Sequence, residues 1–194
     1  MKSKPYVVFL NGPPGSGKDY AANVLTECPD LTVEHWKFAQ PLRDMLFALL
    51  EGDEGQYDNI KSSVIRPYNV TGRQIMIDMS EYFMKPCYGK DIFGQIAQGR
   101  LAEYIQNNDQ LGNEHPDIIV FSDCGFRDEL LPVIKLIGEE NCFLIRLHRD
   151  GHTYEGDSRS YVEIGNIQSV DIRNTGTVAF DEKIIKAVQD WMNS

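Results

Sequence analysis

Along this chain, short continuous apolar runs alternate with longer stretches in which apolar residues return every three or four positions. Runs of the first kind predict buried strands, and the second kind amphipathic helices. Tyr6-Val7-Val8-Phe9-Leu10 predicts a strand over 6–11. A helix follows from about Gly17 to Cys28, with Ala21, Ala22, Val24 and Leu25 on its buried side. A shorter strand is expected within 31–39, ending in Phe38-Ala39. Pro41 suits the start of a helix, in which Leu42, Met45, Leu46, Leu49 and Leu50 share one face. The polar, glycine-bearing "EGDEGQYDN" at 51–59 predicts a loop. Behind it Thr71 suits a helix N-cap, and Ile75, Met76, Met79, Tyr82 and Phe83 form a helical stripe that reads as core. Another helix is expected over 91–107. "DIIVFSD" at 117–123 is apolar enough for a central strand covered on both faces. A helix around 127–138, strands at 142–148 and 169–174, and a closing helix complete the series. That last helix places Ile184, Ile185, Val188, Trp191 and Met192 on one face.

Alternation of this kind predicts an α/β fold with a parallel sheet and crossover helices. No repeat, low-complexity tract or linker divides the 194 residues, so one domain over 1–194 is expected. Composition, 42% hydrophobic and 25% charged, adds only that the chain is an ordinary globular one. Charge adds more. Lys and Arg total 19 against 29 Asp and Glu, and a net charge of −10 repels a phosphate backbone on average. No run approaches the roughly eighteen apolar residues of a membrane span. Met1-Lys2-Ser3-Lys4-Pro5 has no secretory pattern, so a cytoplasmic place is expected. Cys28, Cys87, Cys124 and Cys142 lie far apart and read as reduced thiols. His35, His115, His148 and His152 lack ligand spacing, so no metal held by histidine is expected.

"GPPGSGKD", from Gly12 to Asp19, stands directly behind the first apolar run. It follows the phosphate-binding pattern G-x-x-x-x-G-K-[ST] up to its last place, where Asp19 replaces the hydroxyl that ligates magnesium. Strand, glycine-rich turn and helix succeed one another as that chemistry requires. Backbone N–H groups at such a turn cradle phosphate oxygens, and the helix adds its positive dipole end. The candidate ATP site is therefore Gly12, Pro13, Pro14, Gly15, Ser16, Gly17, Lys18 and Asp19. The three glycines allow close approach and positive φ, and Lys18 brings a full charge to the outer phosphates. The Asp19 carboxylate suits Mg2+, which prefers hard oxygen ligands. Asp123 ends the central strand at the edge where α/β sheets bind ligands; it is either a second holder of magnesium or a helix N-cap. Arg43 and Arg73, early in their helices, are either binders of an acceptor phosphate or solvated surface groups. The arginine-rich segment 146–161 reads as a lid or a solvated loop, with Arg149 and Arg159 as candidates to touch a transferring phosphoryl group.

These segments together resemble the P-loop small kinases whose loop ends in S-G-K-D, among them phage deoxynucleoside monophosphate kinases and animal-type phosphomevalonate kinases. "SGKDYAANVL" resembles the start of their first helix. "FAQPLRDML", with Phe38 and Arg43, is similar to their F-A-x-P-[basic] entry to the acceptor. "SDCGFRDEL" is similar to S-D-x-R-x-x-x-E, but Gly125 stands where that arginine belongs and Arg127 is the nearest replacement. "DIRNTGT", with Asn174 and Gly176, is similar to the N-x-G segment beside the adenine. The resemblance implies a P-loop NTPase fold of the nucleoside monophosphate kinase type. That means a five-stranded parallel sheet with helices on both faces, an acceptor region at about 39–108 and a short lid at about 149–163. It also implies ATP and Mg2+ as cofactors and a small nucleotide as partner. "IMIDMSEYF" departs from the L-Q-x-L-G-T of deoxynucleotide kinases and leaves the acceptor open. A deoxynucleoside monophosphate comes first. Second is 5-hydroxymethyluracil in DNA, as in phage base-modifying kinases, with Asp78 or Glu81 as general base. Phosphomevalonate or another small phosphorylated metabolite, and a nucleotide switch without transfer, follow. Monomer and homodimer both fit.

Overall fold

The computed structural model describes residues 4–66 and 69–194; Met1-Lys2-Ser3, part of the opening read for a secretory pattern, lie outside the described residues. The elements begin with β1 (Tyr6–Asn11), α1 (Lys18–Thr26), β2 (Val33–Trp36), α2 (Gln40–Leu50) and α3 (Tyr57–Ser62). Next come the two-residue strands β3 (Val64–Ile65) and β4 (Val70–Thr71), then α4 (Gly72–Asp78), a π-helical stretch (Met79–Met84) and α5 (Lys85–Tyr88). The chain continues with α6 (Ile92–Leu111), β5 (Ile118–Cys124), α7 (Arg127–Ile137), β6 (Cys142–His148), β7 (Gln168–Arg173) and α8 (Val178–Met192). Two compact units result, one built from the chain up to Phe38 and from Gly94 onward, the other from Ala39–Phe93.

The larger unit holds a five-stranded sheet in the order β2-β5-β1-β6-β7. Every pairing in it is parallel. β1 lies in the middle, and its Val7, Val8, Phe9 and Leu10 are fully buried. Neighbouring strand residues point to opposite faces, so both faces are covered. On one, Val8, Leu10, Ile118, Val120 and Ile145 pack with Ala21, Ala22 and Leu25 of α1 and with Phe180, Ile184 and Val188 of α8. Trp191 closes that core against Phe143, ring centroids 4.9 Å apart. On the other face Phe9 stacks on Phe121 and Phe38. No helix among the described residues is long and apolar enough to cross a membrane.

The smaller unit departs from expectation in three places. Residues 51–59 are not simply loop: Asp53 Oδ1 accepts from Gln56 N at 3.2 Å, a 3-10 turn forms, and α3 follows. Tyr57 supplies the apolar anchor, packing edge-on against Phe47. In α2 the buried face is Leu42, Arg43 and Leu46, while Met45 and Leu49 are exposed. Arg43 takes its place there by laying its guanidinium 3.6 Å over the Tyr57 ring, with Lys61 5.2 Å from the same ring. Thr71 does cap α4, its Oγ1 accepting from Gln74 N at 3.1 Å. Beyond Asp78 the wider π-helical turns advance more residues per turn. The stripe extrapolated from 3.6-residue spacing therefore runs off its face, and Tyr82 and Phe83 are exposed rather than core.

Candidate functional site

β1 delivers the chain to the carboxyl edge of the sheet, where Gly12 to Gly17 turn it into α1. Ser16 N donates to Pro13 O at 3.1 Å, tightening the turn. Gly15 and Gly17 have φ of 77° and 96°, the left-handed region that side chains disfavour. Gly17 is the N-cap of α1 and brings no side chain to occupy the helix's first N–H groups. At Gly12 the need is space: a Cβ would lie 2.6 Å from Ser16 Oγ and 2.7 Å from Leu147 O. Ser16 is fully buried, and its hydroxyl has no hydrogen-bond partner among the described residues. An orphaned buried donor beside a turn of inward N–H groups fits an anion such as a nucleotide phosphate.

Lys18 folds back over this turn, donating to Gly12 O at 2.6 Å and Pro13 O at 2.9 Å. Burial, and then the charge of Arg159, lower its pKa to about 8 against the opposing pull of Asp19, Cys124 and Asp123. Asp19 Oδ1 accepts from Lys37 Nζ at 2.7 Å and from Ser122 Oγ at 2.6 Å. Since the serine hydroxyl donates to Asp19, it accepts from His35, whose Nε2 lies 2.6 Å away and carries the hydrogen. Burial works to raise the Asp19 pKa, but the bonds from Lys37 and Ser122 and the nearby Lys37 and His35 charges hold it below the ordinary value. Asp123 Oδ1 accepts from Phe38 N at 2.9 Å. It does not cap α7, whose N-cap is Phe126. Asp19 and Asp123 both act on Lys18. As hard oxygen donors they fit Mg2+, with phosphate oxygens and water left to complete the shell.

Segment 149–163 lies against the loop. Arg149 Nη1 donates to Gly15 O at 3.0 Å, and His152 Nδ1 donates to Pro14 O at 3.0 Å. Asn11, wholly buried at the end of β1, ties the rest of the segment down. Its Nδ2 donates to Cys124 O (2.8 Å), Tyr154 Oη (3.0 Å) and Ser160 O (3.1 Å), and its Oδ1 accepts from Val162 N (3.0 Å). Arg159 is gripped by Asp157 and its charge bears on Lys18 and Asp123. Behind the loop Asn174 Nδ2 donates to Ser16 O at 2.9 Å, while its Oδ1 accepts from Gly176 N at 2.8 Å.

The sequence candidates thus divide. Lys18, Asp19, Asp123, Arg149, Arg159, Asn174 and Gly176 gather around one loop. Phe38, expected to touch the acceptor, has its ring stacked in the core 4.4 Å from that of Phe121, so its contribution is the N–H given to Asp123. Arg127 begins α7 with an exposed side chain. Arg43 and Arg73 belong to the smaller unit, where Arg43 is buried on Tyr57 and Arg73 is exposed. Residues missed are Asn11, His35, Lys37, Ser122, His152, Tyr154 and Asp157. Asn11 and Ser122 did carry a signal, as polar residues at the carboxyl ends of otherwise apolar strands. His152, Tyr154 and Asp157 lie inside the arginine-rich segment already singled out, with nothing marking them individually, while nothing in the spacing of His35 and Lys37 pairs them with the loop.

No family model matches this sequence, and no curated protein matches it. Among solved structures it is similar to a sugar kinase from Janibacter sp., at 10% identity and TM-score 0.50, covering 97% of this chain and 95% of that one. It is similar also to a protein from Chloroflexus aurantiacus provisionally described as a kinase, at 11% identity and TM-score 0.50, covering 100% and 99%. At such identities the likeness concerns the fold alone. The chain has the P-loop kinase fold, with the five-stranded parallel sheet expected for it.

Proposed function

We propose that this protein is an ATP- and Mg2+-dependent phosphotransferase acting on a small molecule, and that its acceptor is a nucleoside monophosphate, deoxynucleotides foremost. The observation that carries this reading is the gathering of three cations at one glycine loop. Lys18 comes from the loop itself, and Arg149 and Arg159 come from the segment lying on it. Phosphoryl transfer needs chiefly positioning and charge on the equatorial oxygens, and arginines brought by a covering segment supply both. Magnesium bound through Asp19 and Asp123 would neutralise further phosphate charge. With a monophosphate acceptor the attacking atom is already an anionic oxygen, so no protein base is called for. A hydroxyl acceptor in DNA would want a base, and both candidates are already engaged. Asp78 Oδ1 accepts from Gln74 Nε2 at 2.8 Å, and Glu81 Oε1 accepts from Lys85 Nζ at 2.7 Å.

The test is transfer of radiolabelled γ-phosphate from ATP in the presence of Mg2+, with Lys18→Ala as blank. Acceptors are the common nucleoside and deoxynucleoside monophosphates, phosphomevalonate, and DNA with or without 5-hydroxymethyluracil. Label on a monophosphate is expected. Label only in modified DNA, or only in phosphomevalonate, replaces the acceptor. ATP binding without transfer to any acceptor overturns the kinase reading in favour of a switch.

A further inference from the structure

Gly125, the first residue after β5, has no need of glycine for its backbone, since its φ lies outside the left-handed range. Its need is for space. A Cβ there would collide with Arg159 Cδ, and would stand 2.7 Å from Arg159 Cγ and 3.3 Å from Arg159 Cβ. The lid arginine therefore lies along its length on the bare backbone of residue 125. Asp157 holds the other end. Its Oδ1 accepts from Arg159 Nε at 2.8 Å and from Arg159 N at 3.0 Å, and its Oδ2 accepts from Arg159 Nη2 at 2.6 Å. Such a two-pronged grip sets the plane of a guanidinium as well as its place. Both side chains are mostly buried, 25% exposed for Arg159 and 14% for Asp157, so water competes little. The adjacent backbone is clamped too, Ser160 O and Val162 N being bonded to Asn11.

We propose that Gly125 and Asp157 are positioning residues for Arg159. The glycine clears a track for its stem across the end of β5, and the carboxylate orients its guanidinium toward the phosphate loop. Nη1 is the guanidinium nitrogen outside the fork. The arrangement makes residue 125 and residue 159 alternatives: a side chain at 125 starts where the stem of Arg159 now runs. A cation can reach this spot from the end of β5 or from the lid, not from both. This inference rests on the phosphotransferase reading for its consequence, while the geometry behind it stands independently.

The experiment compares Asp157→Asn, Gly125→Ala, Arg159→Gly and the double variant Gly125→Arg/Arg159→Gly. For each, kcat and KM for ATP are measured with the acceptor found in the transfer assay, together with ATP affinity by calorimetry. Loss of an aligned charge is expected to lower kcat roughly tenfold to a hundredfold in Asp157→Asn and Gly125→Ala, with ATP affinity within about threefold of the parent. Arg159→Gly should fall at least as far, and Gly125→Arg/Arg159→Gly should recover part of that loss. A merely structural salt bridge would lower thermal stability without splitting kcat from KM. Unchanged kcat in Asp157→Asn overturns the proposal, as does a double variant no better than Arg159→Gly. Should the double variant fail to fold, the two single substitutions decide. The second readout is the Arg159 Nε–H resonance in 15N-arginine-labelled protein. It should be protected from exchange in the parent and lose protection in Gly125→Ala and Asp157→Asn. If the parent transfers no phosphate, the functional reading has failed and this resonance alone judges the positioning. Protection unaffected by either substitution overturns it.

Discussion

Lys18 is bound to two loop carbonyls and sits beside Arg159. An ordinary lysine keeps its proton up to 10.5; burial first, and Arg159 second, bring Lys18 down to about 8. Between those values the unfolded chain binds more protons than the folded one, so this group makes stability rise with pH there. Below about 8 it is charged in both states and its cost is constant. Lys18→Met should therefore raise the melting temperature at pH 7 while abolishing transfer. The advantage of the variant should shrink as pH rises from 8 toward 10.5, which calorimetric melts of both proteins at matched pH will show. A Lys18→Met protein that melts lower at pH 7 counts against the lowered pKa. Anion binding at the loop reverses the effect, because phosphate favours the charged amine.

At the scale of elements, β7 is one of the sheet's two outer strands and joins β6 through polar side chains as well as backbone. Asp171 accepts from Arg146 Nη2 at 2.8 Å and lies 2.6 Å from His148 Nε2. The Arg146 hydrogen bond, against some burial and with help from His148, lowers the Asp171 pKa to about 2. The stabilisation from this lowered value is complete above the ordinary 3.8 and is lost as pH falls toward 2. Asp171→Asn should destabilise the protein at pH 5–7 by a small margin, since the Asp171 side chain is half exposed. Urea melts of parent and variant should converge near pH 2, and a gap that persists there would mean a different cause. The helices teach a different lesson. Periodicity located α2 and α4 and put Leu42, Leu46 and Met76 on their buried sides, but it misplaced Met45, Leu49 and, in the π-helical stretch, Tyr82 and Phe83. Burial of Arg43 depends on the Tyr57 ring in α3, about a helix length further along the chain, and the π-helical turns after Asp78 break the 3.6-residue spacing that the extrapolation assumed.

Over the whole molecule, apolar burial is uneven. Among the described residues of the Ala39–Phe93 unit, Leu42, Leu46, Met76 and Phe93 are the buried hydrophobic ones, whereas every strand of the sheet but β2 carries at least one fully or nearly buried side chain. Local opening costs least where few apolar contacts must be broken. Amide exchange should therefore be fast across 39–93 and slowest in β1, β5 and β6, and limited proteolysis should cut within 51–56 first. Uniform exchange protection across both units would contradict this.

What could be read along the chain was whatever short-range rules govern. A strand needs a few consecutive apolar residues, a phosphate loop needs its glycines and lysine at fixed spacing, and a capped helix needs Thr71 three residues before Gln74. Those rules located the five strands, the Gly12–Asp19 loop and the arginine-rich segment behind β6. They could not order the strands, because β1 takes its partners from residues more than a hundred positions away. Nor could they join Ser122 to Asp19, Val162 to Asn11 or Arg159 to Gly125, since each contact closes only when the sheet has brought distant edges together. Local sequence settles what a segment is able to become. The neighbours that tune Lys18, hold Asp19 and aim Arg159 are set by tertiary packing, because charge and contact act through space and not along the chain.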